Sequence, residues 1–188
     1  MVRAIDKRLE GDAYERLALA DDDRHWELWD GVLVEKPGMS TEHNHLMVEL
    51  AFQIRKQIDP AMFRVRVNST RVRKPESWFI PDVVVVPTPL ERATRGQPGR
   101  LETYSDPLPL VVEIWSPSTG RYDVNRKLPE YMHRGDEEIW RIHPFDKRLT
   151  AWRRQPDGSY AELVFLGGIV EVPSLPGVGI DLDALFAE

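Results

Sequence analysis

The sequence contains no cysteine, so disulfides, thiolate zinc sites and thiol nucleophiles are excluded, and a reducing cytoplasm is the expected setting. Packing alone must hold the fold. No stretch approaches the roughly 20 apolar residues needed to cross a bilayer, and the opening MVRAIDKRLEGDAYERL is too charged for a signal peptide. The expectation is a soluble cytoplasmic protein with no membrane partner. Internal repeats, a Walker loop, a dinucleotide fingerprint, HExxH and GxSxG are also missing, which removes the commonest other enzyme classes. Cationic excess is absent too: 25 Lys and Arg against 31 Asp and Glu leave a net charge of −6. That balance is awkward for a protein whose partner is a polyanion.

What is present fits one domain, residues 1–188, with 41% apolar content and a core of ordinary size. Two apolar runs each carry one acid. Val83 to Val86 in WFIPDVVVVP and Leu110 to Val112 in PLPLVVEIW read as strands buried on both faces, with Asp82 opening the first and Glu113 near the end of the second. An unpaired carboxylate there is costly to desolvate, so each needs a cation. Taken singly, Asp82 reads as a turn or cap acid after Pro81, and Glu113 as half of a buried salt bridge. Brought together at adjacent strand ends they would repel, and Mg²⁺ or Mn²⁺ with oxygen ligands relieves that repulsion while staying open to water and phosphate.

A third element follows in SPSTGRYDVNRKLPEYMHRG. Pro129 lacks a backbone donor and suits a helix's first turn, which predicts a helix starting near Asn125 and stopping at Gly135. Lys127 then lies close to a positive helix end just past the acids, a setting for an anionic phosphodiester. Asp123 can cap the turn into this helix, and can also orient Lys127 or a metal-bound water.

Elsewhere, Gly11 to Ala20 predicts a short helix ended by Asp21 to Asp23. Asp30-Gly31 predicts a type I′ hairpin between His25 to Trp29 and Val32 to Lys36. Leu46, Leu50 and Ile54 at helical spacing predict a helix over Thr41 to Gln57, with Ser40 or Thr41 as cap. In FRVRVNSTRVRK the period of two implies two strands, or one bent strand, with arginines on a common face that is solvated or set against phosphates. Trp78 to Val86 reads as one strand disturbed at Pro81. Pro87 to Pro107 shows no period and reads as a loop. Pro109 to Trp115 reads as the second buried strand. Glu138 to His143, Arg148 to Arg154 and Tyr160 to Leu166 predict an antiparallel meander, and DLDALF a closing helix.

The pattern Pro81-Asp82, Glu113-Ile114-Trp115-Ser116-Pro117 and Asp123-Val124-Asn125-Arg126-Lys127-Leu128-Pro129-Glu130-Tyr131, with Gly135, resembles the Uma-two family of restriction-endonuclease-like proteins in the PD-(D/E)XK superfamily. The likeness extends to WELWDGVLVEKPG upstream and to EEIWRIHP, LTAWRR and LPGVGIDLDALF downstream. It implies an α/β (α+β) fold with a central mixed sheet flanked by helices, here with an N-terminal hairpin and the C-terminal meander. It also implies metal-dependent cleavage of nucleic acid, DNA above all, with Asp82 and Glu113 as metal ligands; the nearest substitute for the catalytic lysine is Lys127 on the next helix. His43 stands where the family carries a histidine, as a phosphate or water contact or as a hydrogen-bonding residue. In one place the sequence departs from the superfamily: the lysine expected two positions after the second acid is Trp115. A nuclease fold that binds nucleic acid or pairs with itself without cutting is therefore the alternative. Cutting both strands of a duplex favours a homodimer.

Overall fold

The structure, a computed structural model, describes residues 3–21 and 23–187. Asp30 and Gly31 take φ of 47° and 74°, the two positive values that a type I′ turn needs. They join β2 (His25–Trp29) to β3 (Val32–Lys36) in the expected hairpin. Around it stand β1 (Arg3–Arg8), β5 (Arg71–Lys74), β6 (Ser77–Phe79) and β8 (Thr103–Tyr104), giving a six-stranded sheet of order β1-β3-β2-β6-β5-β8. The hairpin is thus the middle of a sheet. Helix α1 (Gly11–Ala20) covers its outer face, where Tyr14 packs with Trp26, Leu28, Leu33 and Trp78. Of the acidic run after α1, Asp22 lies outside the described residues.

The second sheet is mixed like the first, in which β5 and β8 run parallel. Its strands are β4 (Phe63–Val67), β7 (Val83–Pro87), β9 (Leu110–Ile114), β10 (Glu138–His143), β11 (Arg148–Arg154) and β12 (Tyr160–Phe165), in the order β12-β11-β10-β9-β7-β4. The pair β9 and β10 is parallel, and β10 to β12 form the antiparallel meander. Helix α2 (Thr41–Arg55) starts at Ser40, whose hydroxyl accepts from the His43 amide. It lays Leu46, Met47, Leu50 and Ile54 on one sheet face, each worth about 1.5–3 kcal/mol when fully buried. Strands β13 (Ile169–Glu171) and β14 (Gly179–Asp181) and helix α6 (Leu182–Leu185) complete that core. A second core, with Phe79, Val84, Val86, Val111, Tyr131 and Ile139, fills the space on the opposite face.

Four expectations are corrected. The stretch Trp78 to Val86 is two strands in different sheets: Pro81 offers no amide to a ladder, and the chain crosses between layers at Ile80-Pro81-Asp82. The arginine-rich run is likewise divided. Arg64 and Arg66 reach buried Glu91, Arg71 donates to the Tyr14 hydroxyl, and Arg73 lies 4.8 Å above the Trp78 ring, so no common basic face forms. Pro87 to Pro107 contains α3 (Thr88–Thr94) as well as β8. That helix is too short to show a period, and the burial of its Glu91 between two arginines holds it. The third helical element begins at Gly120, earlier than Asn125. It runs from α4 (Gly120–Tyr122) through a π-helical turn (Asp123–Lys127) into α5 (Leu128–Arg134), ending at Gly135 with φ 82°. The Leu128 amide reaches back to the Asp123 carbonyl, and this wider turn admits the Pro129 ring inside the helix.

Candidate metal centre

The pairing of β7 with β9 sets the two acids side by side. Val83 faces Val112 and Val84 faces Val111 in an antiparallel register, and one step further along it Asp82 meets Glu113. Directly opposed residues project to the same side of a sheet, so both carboxylates enter one space. The Asp82 amide donates to the Val112 carbonyl at 3.1 Å, and Asp82 Oδ2 accepts from the Ile114 amide at 2.7 Å. Both acids line a single cleft with Lys36, His43, Ser116, Thr119, Asp123 and Lys127. Its volume is about 10 Å³, enough for one water.

Each acid has its own cation. Lys36, at the end of β3, lies 2.9 Å from Asp82 Oδ1, and His43 Nε2 lies 3.0 Å from Oδ2. That histidine contact is off the line of a hydrogen bond, and both ring nitrogens are buried without a bonded partner. Burial would raise the Asp82 carboxyl, but Lys36, His43 and Lys127 outweigh it and hold the group well below the usual carboxylate range. On the other acid, Lys127 donates to Glu113 Oε1 at 3.1 Å and the Tyr131 hydroxyl donates to the same oxygen at 2.5 Å. Lys127 is 1% exposed. It also pairs with Glu27 at 2.9 Å and lies 3.5 Å from Asp123 Oδ1.

The charges do not balance. Glu27, Asp82, Glu113 and Asp123 are buried, and among the described residues the ammonium groups that meet them are those of Lys36 and Lys127. Arg141, opposite Glu113 on β10, adds a more distant guanidinium whose Nε has no partner. Burial, together with the Asp123 and Asp82 charges and against the pull of Lys127, raises Glu113 to about 8. Burial also raises Asp123, whose Oδ1 lacks a hydrogen bond. Burial opposes the Lys127 charge, but Glu113, Glu27 and Asp123 overcome it and keep the ammonium protonated.

This donor set suits a hard divalent ion that keeps much of its water, since such ions take one or two carboxylates and tolerate hydration. The excess of acid supplies the attraction. Among the described residues, however, no three His, Asp or Glu side chains converge as a ready-made metal cage. Trp115, in the superfamily's lysine position, is absent from the cleft and stacks on His143 at 4.2 Å.

All five residues singled out from the sequence, Asp82, Glu113, Lys127, His43 and Asp123, line the cleft. Glu27, Lys36, Arg141 and the Tyr131 hydroxyl were not. Glu27 alternates with Trp26 and Leu28 in β2, which marks it as facing away from their core but not what it meets. Lys36 carried no signal beyond its place before Pro37-Gly38.

The model of the Uma2 family, described as "Putative restriction endonuclease", matches residues 12–183. Among solved structures, this chain is similar to a protein from Anabaena variabilis ATCC 29413, described as "a putative nuclease belonging to DUF820", with 20% identity and a TM-score of 0.77. The alignment covers 95% of this chain and 97% of that one. At this identity the likeness is one of fold. No curated protein matches the chain. No helix among the described residues is long and apolar enough to cross a membrane.

Proposed function

The chain belongs to the Uma2 family, and from that membership we propose that it is a metal-dependent nuclease that hydrolyses phosphodiester bonds, with DNA as substrate and Asp82 and Glu113 as metal ligands. One observation carries the reading. Two acids from separate strands share a cleft in which buried carboxylates outnumber the cations that touch them. Held by Asp82 and Glu113, Mg²⁺ or Mn²⁺ would supply charge stabilisation at the scissile phosphate and acidify a bound water.

The chain's own groups do the rest. Lys127 and Tyr131 fix Glu113 Oε1 and so orient the carboxylate. Asp123 and Glu27 keep the Lys127 ammonium charged and in place. His43, whose ring nitrogens make no hydrogen bond and whose Nε2 lies 3.0 Å from Asp82 Oδ2, is placed to hold a water or a phosphate oxygen. The hydroxyls of Ser116 and Thr119, 2.8 Å apart, line the cleft and offer donors to a phosphate.

The test is cleavage of supercoiled and linear DNA with Mg²⁺, Mn²⁺ or EDTA. Cutting should require the ion and fall to background in Asp82→Asn and Glu113→Gln; undiminished cutting by either variant would refute the assignment. A second reading, a nuclease fold that binds nucleic acid without cutting it, is favoured by Trp115 and by the ion pairs already formed on both acids. Binding that persists in EDTA, with no turnover of DNA or RNA, would decide for it.

A further inference from the structure

Lys36 reaches the cleft from the hairpin, and the surroundings of its ammonium are unusual for a structural lysine. The side chain is 7% exposed. Its Nζ donates to Asp82 Oδ1 at 2.9 Å, to Asn68 Oδ1 at 2.7 Å and to the Ile80 carbonyl at 2.7 Å. An ammonium has three donors, so all are used. A carboxylate, an amide carbonyl and a backbone carbonyl are also the oxygens that a hard cation takes. Asn68 is held at φ 46°, a left-handed conformation that costs a non-glycine residue some strain. Its amide is tied to the Asp82 carbonyl at 2.9 Å, so the strained residue and the acid are fixed to each other around the ammonium.

Lys127 has different company. It is enclosed by Glu27, Glu113 and Asp123, so its charge is needed whether or not Asp82 holds an ion. Among the described residues, Asp82 is the one acid that Lys36 contacts.

We propose that Lys36 is the resident counter-cation of Asp82: its ammonium fills an oxygen cage made by Asp82, Asn68 and the Ile80 carbonyl, and a divalent ion that takes Asp82 as ligand displaces it. The proposal rests on the metal-site reading above and adds a competitor to it. Two cations within contact distance of one buried carboxylate repel strongly at low dielectric, so entry of the ion drives the ammonium out. The metal-free chain thereby keeps Asp82 neutralised and its fold intact. In return, the ion binds less tightly than the donors alone would allow.

The test is Mn²⁺ binding to the full chain by titration calorimetry, with wild type, K36M and D82N compared. K36M keeps the side-chain length without the charge; it should bind Mn²⁺ at least about tenfold more tightly than wild type and gain a larger Tm increase from it. D82N should bind none. Equal or weaker binding by K36M, with wild type binding normally, overturns the displacement and leaves the metal site standing. Failure of both wild type and K36M to bind Mn²⁺ overturns the metal site and the displacement together. Should K36M not fold, wild type alone decides: acylation of Lys36 by an N-hydroxysuccinimide ester, read by mass spectrometry against the other lysines, should rise several-fold with Mn²⁺. Unchanged acylation at saturating Mn²⁺ overturns the proposal.

Discussion

Arg134 and Asp136 are 7% and 0% exposed and joined by two hydrogen bonds, at 3.0 and 3.2 Å. The remaining guanidinium donors meet the carbonyls of Arg73, Tyr104, Ser105 and Asp106, and Asp136 Oδ1 also accepts from the Leu108 amide. One cation answers one anion there, and the pair ties the end of α5 to β5 and β8. The cleft uses the same chemistry without closing it: acids in excess, an unbonded oxygen on Asp123 and an unbonded imidazole on His43. Burial raises the Asp136 carboxyl as well, against the pull of Arg134. A raised acid therefore marks burial in both places. What separates the two regions is charge balance: Arg134 also borders an open pocket with Arg73, Lys74 and Ser105, but in the cleft the buried acids outnumber the ammonium groups that touch them.

The largest effects should come from cutting each cluster in turn. Asp82→Asn and Glu113→Gln should abolish ion-dependent cleavage while the chain still unfolds cooperatively in urea. Arg134→Ala should do the reverse, losing about 3–5 kcal/mol of stability because Asp136 is left buried and alone. The fraction that remains folded should cleave at the wild-type specific rate. Loss of cleavage in Arg134→Ala with an unchanged urea midpoint would break the comparison, since it would give the closed cluster a part in the chemistry.

The two clusters also differed in how far they could be read from sequence. Asp82 and Glu113 stood out because a charge within a valine run contradicts its surroundings, and that contradiction is local. Arg134 and Asp136 flank a glycine at a helix end, where charges are ordinary, and nothing local says that both are buried. Glu27 and Lys36 are hidden for a related reason: they act across the gap between two sheets, and in the sequence the crossing at Pro81 that brings the sheets together looks like one disturbed strand. The hairpin, α2, the meander and α6 were legible because each rests on a short-range period or turn. The Asp123–Lys127 π turn was not, since a proline in a helix ordinarily marks its start, and the wider turn that accommodates it has no signature in residue type.

A smaller effect tests how the open cluster is held in register. A Cβ added at Gly120 would fall inside the Trp115 indole, within 2.6 Å of Cδ1. The aromatic ring is stacked on His143 at 4.2 Å, so turning away would cost that contact. Gly120→Ala should cost about 1–3 kcal/mol, as overpacking does, and Trp115→Ala in the same chain should recover most of it. Because α4 leads directly into Asp123 and Lys127, Mn²⁺ affinity should fall in Gly120→Ala as well, which Arg134→Ala should not produce. Additive stabilities in the double variant would show that the contact does not set the helix position.

The most gradual effect, spread over several pH units, concerns a proton. Burial, with Asp123 and Asp82 adding to it and Lys127 opposing, raises Glu113 from an ordinary 4.5 to about 8, so between those values the folded chain holds a proton that the unfolded chain has released. The stability this proton confers is fully present below pH 4.5 and is lost as pH rises toward 8, with a slope of at most about 1.4 kcal/mol per pH unit. Metal binding runs the other way: the ion needs the carboxylate ionised, so Mn²⁺ affinity should climb across the same window. Glu113→Gln should remove its share of the stability slope, and saturating Mn²⁺ should remove the same share in wild type. Asp136 also gains a proton preference on folding, but no ion competes for it, so its share should survive both treatments. A slope that Mn²⁺ leaves untouched would place the titrating group on Asp123 or Asp136 rather than Glu113, and the cleft would then lose the ion-linked proton that sets it apart.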